Sequence, residues 1–285
     1  MIKDMVLPSG ASLDLSGPAL VMAVVNCNND SFYRPSGTLA DKALETALAA
    51  EEEGAAIVDF GAESTRPGSS YISAETELER LIPVIKAFRK RSSLPVSVDT
   101  RKAAVARQAL DAGADIINDI SGLGDDPQMA ELCDERKAAV VLMHKKGVPL
   151  TMQDSPSYGD FASEMKAWFK SAVKGALSAG IDSGKIILDP GIGFGKGLNE
   201  NLEILRFPAR LAEICGKDYP VLMGLSRKSF IGEVTGRPVE ERLAGTLAAN
   251  AAAIFGGARI IRVHDVREHV DLVKILFALR AGTEH

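Results

Sequence analysis

Asp99, Asn118, Asp189 and Lys228 carry side chains from which a recognition ring for a flat heterocycle can be built. A carboxylate takes two parallel N–H donors, and a lysine donates to a carbonyl and an adjacent ring nitrogen. A planar bicyclic heterocycle with an amide N–H, an exocyclic amine and a carbonyl would fill such a ring. Polar residues buried in this number are costly unless a ligand satisfies them. A second set suits an anion. Arg262 and His264 stand two apart, as do Ser226 and Lys228, so each pair shares a face if it lies on a strand. Beside Asn26 they form a site suited to phosphate rather than to a hydride carrier. Phe194 lies in the run Gly191-Ile-Gly-Phe-Gly-Lys-Gly197. That run matches neither GxGxxG nor GxxxxGK[ST]. Its glycines let the backbone pass close to a flat ligand, with Phe194 placed to pack on the ligand's rim.

These residues need a scaffold that brings distant segments together. Candidate strands are Ala19–Asn26, Ala56–Phe60, Pro95–Asp99, Asp115–Ile120, Ala139–His144, Lys185–Asp189, Pro220–Leu225 and Arg259–His264. Helical patterns lie between them, over Ala40–Glu53, Ala74–Arg91, Lys102–Ala112, Phe161–Ala179, Asn199–Cys215, Val239–Phe255 and Arg267–Leu279. Continuous apolar strands imply a parallel sheet covered on both faces. A β-then-α unit repeated about eight times favours one closed (β/α)₈ barrel, and an open doubly wound sheet is the alternative. The segments Gly54-Ala-Ala-Ile-Val-Asp59, Gly113-Ala-Asp-Ile-Ile-Asn118 and Gly257-Ala-Arg-Ile-Ile-Arg262 superpose without gaps. Each starts on a glycine suited to ending a helix and finishes on a polar strand end. In a barrel the strand ends converge on one face, and almost every strand here ends in polar groups. Thr100 and Asp265 also suit helix caps.

Composition narrows the partners. The 285 residues are 46% hydrophobic, 25% charged and 5% aromatic, with a net charge of −5. This is an ordinary globular composition with no electrostatic footprint for nucleic acid or anionic lipid. No segment reads as a membrane span or an export signal. The three cysteines have no CxxC spacing, which fits a reducing cytoplasm. Cys27, beside the expected site, reads as a packed hydrophobe rather than a nucleophile. There is no HExxH metal motif and no GxSxG elbow. Asn26 could contact a Mg²⁺ ion that enters with substrate phosphates.

Several of these segments, taken in order, resemble the dihydropteroate synthase family of pterin-binding barrels over almost the whole chain. They are Val25-Asn26 with Asp30-Ser31-Phe32, Glu63-Ser-Thr-Arg-Pro-Gly68, Val96-Ser-Val-Asp-Thr100 and Asn118-Asp-Ile-Ser-Gly122. Leu142-Met-His144, Leu188-Asp-Pro-Gly-Ile-Gly-Phe-Gly-Lys196, Ser226-Arg-Lys-Ser-Phe-Ile-Gly232 and Arg262-Val-His-Asp-Val266 complete the series. The resemblance implies a transferase of folate biosynthesis, condensing 6-hydroxymethyl-7,8-dihydropterin diphosphate with p-aminobenzoate and releasing diphosphate. It implies that Asp99, Asn118, Met143, Asp189, Gly193, Phe194 and Lys228 hold the pterin. Asn26, Arg262 and His264 would take the diphosphate with Mg²⁺, and Thr65, Arg66 and Ser226 would border the p-aminobenzoate pocket. Asp99, Lys228 and Asp30 would serve catalysis. It further implies a single barrel domain over residues 1–285 with an extension at 1–18, a cytoplasmic homodimer and a sulfonamide target. The first loop departs from the family pattern, with Asn28-Asn29 where Thr-Pro is usual and the glycine pair absent. Ala62 replaces a usual glycine, and Lys145-Lys146 follows His144. A pterin-binding methyltransferase domain and a non-catalytic paralogue are the competing readings.

Overall fold

A computed structural model describes residues 3–28, 39–64, 69, 71–147, 152, 156–206, 208, 213–214 and 217–281. Asp30, Thr65 and Arg66 lie outside the described residues. The chain opens with an antiparallel hairpin of β1 (Asp4–Val6) and β2 (Ser12–Asp14). The strands that follow are β3 (Leu20–Asn26), β4 (Ile57–Gly61), β5 (Val96–Asp99), β6 (Ile116–Asp119), β7 (Ala139–Met143) and β8 (Ile186–Asp189). Beyond a small pair, β9 (Glu213–Ile214) and β10 (Lys217–Asp218), come β11 (Leu222–Met223) and β12 (Ile260–Val263). Eight strands form one parallel sheet in the order β11-β12-β3-β4-β5-β6-β7-β8. A parallel bridge between Leu188 and Val221, with Leu188 N donating to Pro220 O at 2.9 Å, joins its two ends. The expected closed barrel is present.

Among the described residues the α-helices are α1 (Leu39–Glu52), α2 (Ala74–Arg89), α3 (Ala103–Asp111), α4 (Met129–Glu135), α5 (Phe161–Ser178), α6 (Leu198–Arg206), α7 (Ser229–Thr235), α8 (Leu243–Phe255) and α9 (Val266–Ala281). Helix α4 and helix α7, seven residues each, are too short to leave a clear helical period in the sequence. The helix expected over Asn199–Cys215 stops at Arg206, ahead of Pro208, because proline disfavours helix just before it. The pattern over Val239–Phe255 divides into a 3₁₀ turn at Val239–Glu241 and helix α8. The repeated glycines Gly54, Gly113 and Gly257 all have φ near +100°, as helix-ending positions require.

Period-two alternation sorts each strand into an outward and an inward face. Outward residues such as Val21, Ala23, Val58, Phe60, Val96 and Val98 pack under the helices. Inward residues form layers. At the lower end Met22, Ile57, Ile116, Ala139, Ile187, Leu222 and Ile260 make an apolar plug. Met5, Leu7, Leu13 and Leu15, from the hairpin and its flanks, seal it from below, so these four side chains are part of the barrel's core. One layer up, two residues along, the same face carries Asp59, Asn118, Asp189 and Arg262. The interior is thus an apolar floor beneath a polar mouth.

Leu13→Ala should lower unfolding free energy by about 2–5 kcal/mol, the usual cost of emptying a buried leucine site. Urea denaturation measures it. Ligand affinity at the opposite end should stay within twofold.

Candidate active site

Strand register places the first polar row. Asn26 pairs with Gly61, Gly61 with Asp99, and Asp99 with Asn118, across four adjacent strands. Gly61 leaves the space between Asn26 and Asp99 without a side chain. On the other side of the mouth Met143 pairs with Asp189.

Asp59, fully buried on β4, is the centre of the hydrogen bonding. Its Oδ1 accepts from Ser97 Oγ at 2.6 Å, and its Oδ2 accepts from Arg262 Nε at 2.6 Å and Asn118 Nδ2 at 3.2 Å. Arg262 Nη2 then donates to Asp99 Oδ2 at 3.1 Å. One guanidinium therefore links two carboxylates. Burial alone would lower the Arg262 pKa, but Asp59 and Asp99 outweigh it and the group stays firmly charged. Asp99 moves the other way. Burial pushes its pKa up to about 7 against the attraction of Arg262, and neighbouring carboxylates add to the rise. Asn118 spends its amide nitrogen on Asp59. Its Oδ1 is buried and has no hydrogen-bond partner among the described residues. A buried, unsatisfied acceptor of this kind calls for a donor from a ligand.

Asp189 ends β8. Its Oδ1 accepts from Gly191 N at 2.7 Å, while burial raises its pKa against the pull of that bond and of Lys228, Arg262 and Lys196. Lys228 reaches over the Phe194 ring, with Nζ 4.3 Å from its centroid. Met143, Phe194, Ile120 and Met152 cluster as an apolar wall. Ser226 and His264 are joined, with Nδ1 and Oγ 2.9 Å apart, so the two loops that bear them meet. Arg227 is held by a two-point ion pair with Asp265, at 2.7 and 3.1 Å. That pairing accounts for Asp265 as an anchor of the loop.

The structure therefore brings Asp99, Asn118, Met143, Asp189, Gly193, Phe194, Lys228 and Arg262 to one mouth. Asn26 and His264 stand exposed at its rim. Cys27 is buried, and burial pushes its thiol up to about 12, as a packed hydrophobe requires. Two residues escaped the sequence reading. Asp59 was visible as the polar end of a repeat, yet its role depends on Ser97 and Arg262, remote in sequence. Lys196 sat in the glycine run with no signal that its side chain turns inward.

A closed parallel barrel with polar strand ends and basic groups at its mouth defines a (β/α)₈ protein whose candidate site lies at the C-terminal face. A family described as pterin binding enzyme matches residues 22–264. The chain is 43% identical over 276 residues to dihydropteroate synthase of Synechocystis sp., covering 96% of this chain and 94% of that one. It is 43% identical to dihydropteroate synthase of Escherichia coli, covering 97% and 96%. A Xanthomonas albilineans dihydropteroate synthase solved with 4-aminobenzoic acid superposes with a TM-score of 0.91 at 40% identity, covering 98% of each chain. The chain belongs to the pterin-binding enzymes and, within them, to the dihydropteroate synthase family.

Asp59→Ala should strip the half-buried Arg262 of its fully buried partner and cost about 3–5 kcal/mol of stability. Arg107→Ala, which breaks the exposed pair with Glu135, should cost under about 1 kcal/mol. Chemical denaturation of both variants checks the contrast.

Proposed function

We propose that this chain joins p-aminobenzoate to 6-hydroxymethyl-7,8-dihydropterin diphosphate, giving 7,8-dihydropteroate and diphosphate. The observation that carries the reading is the buried Asn118 Oδ1, without a partner among the described residues, set between Asp99 and Asp189 over an apolar wall. That arrangement matches a flat heterocycle rich in N–H donors. Asn118 and the two aspartates would accept from the pterin ring, and Lys228 would donate to its carbonyl edge. Met143 and Phe194 would flank the ring, with the Gly193 backbone beside it. A methyltransferase reading, with no diphosphate to release, would give Arg262, His264 and Lys228 no leaving anion to face.

In the reaction the bond between the pterin methylene carbon and the diphosphate oxygen breaks, and its electron pair leaves with diphosphate. The electron-rich ring delocalises the resulting cation. Asp99, when ionised, stabilises that charge through space. The arylamine nitrogen then bonds to the methylene carbon and loses a proton to solvent. Its lone pair is weakly nucleophilic, so activation of the electrophile and positioning dominate. Arg262, His264 and Asn26 would face the leaving anion, and Ser226 would border the p-aminobenzoate pocket together with Thr65 and Arg66.

Among the described residues no three or more His, Cys, Asp or Glu side chains are grouped to hold a metal. Asn26, a lone oxygen donor at a strand tip, fits a Mg²⁺ ion that enters on substrate phosphates and keeps its waters. When bound, Mg²⁺ would neutralise charge on the leaving diphosphate. The proposal extends to a cytoplasmic homodimer whose p-aminobenzoate pocket takes sulfonamides. Exposed Phe255 on α8 and Ile275 and Leu279 on α9 support association. No helix among the described residues is long and apolar enough to cross a membrane.

Mixing the protein with pterin diphosphate, Mg²⁺ and p-aminobenzoate should release diphosphate and pteroate in equal amounts; neither product would appear from a non-catalytic paralogue. Asp99→Ala should lower kcat by about 10²–10³-fold, the usual scale for a lost electrostatic stabiliser, while the Kd for pterin diphosphate changes far less. Because the raised Asp99 pKa makes the ionised form the minority below neutrality, kcat should fall as pH drops through about 7. Asp99→Asn should flatten that limb in a pH–rate profile.

A further inference from the structure

Lys196 is 2% exposed, in the loop between β8 and α6. Its Nζ lies 2.9 Å from His144 Nδ1, 3.2 Å from His144 O, 3.0 Å from Gly191 O and 3.1 Å from Phe194 O. Three of these partners are carbonyl oxygens, which can only accept. A neutral amine has two N–H bonds and an ammonium has three; burial pulls the Lys196 pKa down to about 7, and the three carbonyl acceptors favour the cation against it. Burial and the nearby Lys196 hold His144 down to about 3, so its ring is neutral and adds no second charge beside Lys196.

The loop gripped in this way lies directly on the exit of β7. A side-chain carbon at Gly191 would stand 2.0 Å from His144 O, and one at Gly195 would stand 2.1 Å from Lys146 O. Gly191 and Gly195 both have φ of +67°, a region that favours glycine. Tyr158 OH donates to Gly195 O at 2.7 Å from the far side. With the carbonyls of Gly191 and Phe194 drawn toward Lys196, the Phe194 ring faces Lys228 and Gly193 lies against the Lys228 stem. Gly191 N is held at Asp189. Gly193 N is held in addition by Asn201 Oδ1 at 2.9 Å, so Lys196 and Asn201 together set the backbone shape of the loop that faces the polar mouth.

We infer that Lys196 is a positioning residue for the pterin substrate: a buried ammonium that gathers the carbonyls of the glycine loop and fixes Phe194 and Gly193 against the heterocycle's place. The inference rests on the function proposed above. It reaches the pterin side of the reaction and leaves the p-aminobenzoate side alone. Lysine suits the task because a compact ammonium can serve several acceptors converging on one point, whereas a planar guanidinium cannot.

The test combines calorimetry with pterin diphosphate and steady-state kinetics in both substrates, on wild type, Lys196→Met, Lys196→Arg and Tyr158→Phe. Lys196→Met should raise the Kd and KM for pterin diphosphate at least about 30-fold, with the KM for p-aminobenzoate within twofold, and Lys196→Arg should not restore binding. Tyr158→Phe removes one outer hydrogen bond and should raise the same Kd about 3- to 10-fold. It carries the test alone if the Lys196 variants fail to fold. A folded Lys196→Met with wild-type pterin affinity, or equal losses in both KM values, would overturn the inference, as would an unchanged Kd in Tyr158→Phe when only that variant folds. If wild type itself neither bound pterin diphosphate nor made pteroate, the proposed function would fail instead.

Discussion

The guanidinium of Arg262 between Asp59 and Asp99 is the interaction on which the mouth of the barrel depends. Carboxylates gathered inside a barrel repel one another and lose hydration, and both effects favour their neutral forms. A single half-buried cation, bonded to two of them, makes the cluster tenable without filling the space above it. Its geometry also has a direction. Asp59 takes the Asn118 amide nitrogen, so the Asn118 oxygen must point elsewhere. Orientation of one ligand-facing acceptor thus traces back to a residue that need not touch the ligand.

The barrel converts this local chemistry into a site through period two. The residue two positions before each polar group belongs to the apolar floor: Ile57 before Asp59, Ile116 before Asn118, Ile187 before Asp189 and Ile260 before Arg262. A slip of one residue in any strand would exchange its inward and outward faces. The floor therefore fixes register as well as stability. Strand ends supply rigid acceptors, while Lys228, Phe194 and Ser226 come from the loops that follow. Those loops are tied down in turn, by Lys196 beneath the glycine run and by the Arg227–Asp265 pair beside Ser226.

Much of this was legible in the residues. Continuous apolar runs ending in Asp99, Asn118, Asp189 and Arg262 give both the parallel barrel and the converging mouth, because strand patterns are local. The glycines that precede β4, β6 and β12 announce their turns for the same reason. What could not be read is what depends on three-dimensional neighbours. Asp59 looks like one more polar strand end until Ser97, Asn118 and Arg262 surround it. Lys196 looks like a surface lysine in a glycine loop, since nothing in its sequence context reports that four acceptors face it. The hairpin at residues 4–14 hides because strands of three residues carry too little alternation to recognise. Arg262 shows the limit most plainly: its spacing of two from His264 suggests an anion ligand, yet two aspartates are its partners within the chain.

Calorimetric titration of Asn118→Leu with 6-hydroxymethyl-7,8-dihydropterin diphosphate tests the orientation of that acceptor most directly. Replacing a ligand-facing amide by an apolar group of similar size should weaken binding by at least about tenfold, the scale of a hydrogen bond lost in a buried site. An unchanged Kd in a folded variant would contradict the account, because the heterocycle would then bind without the atom that the whole polar network is arranged to present.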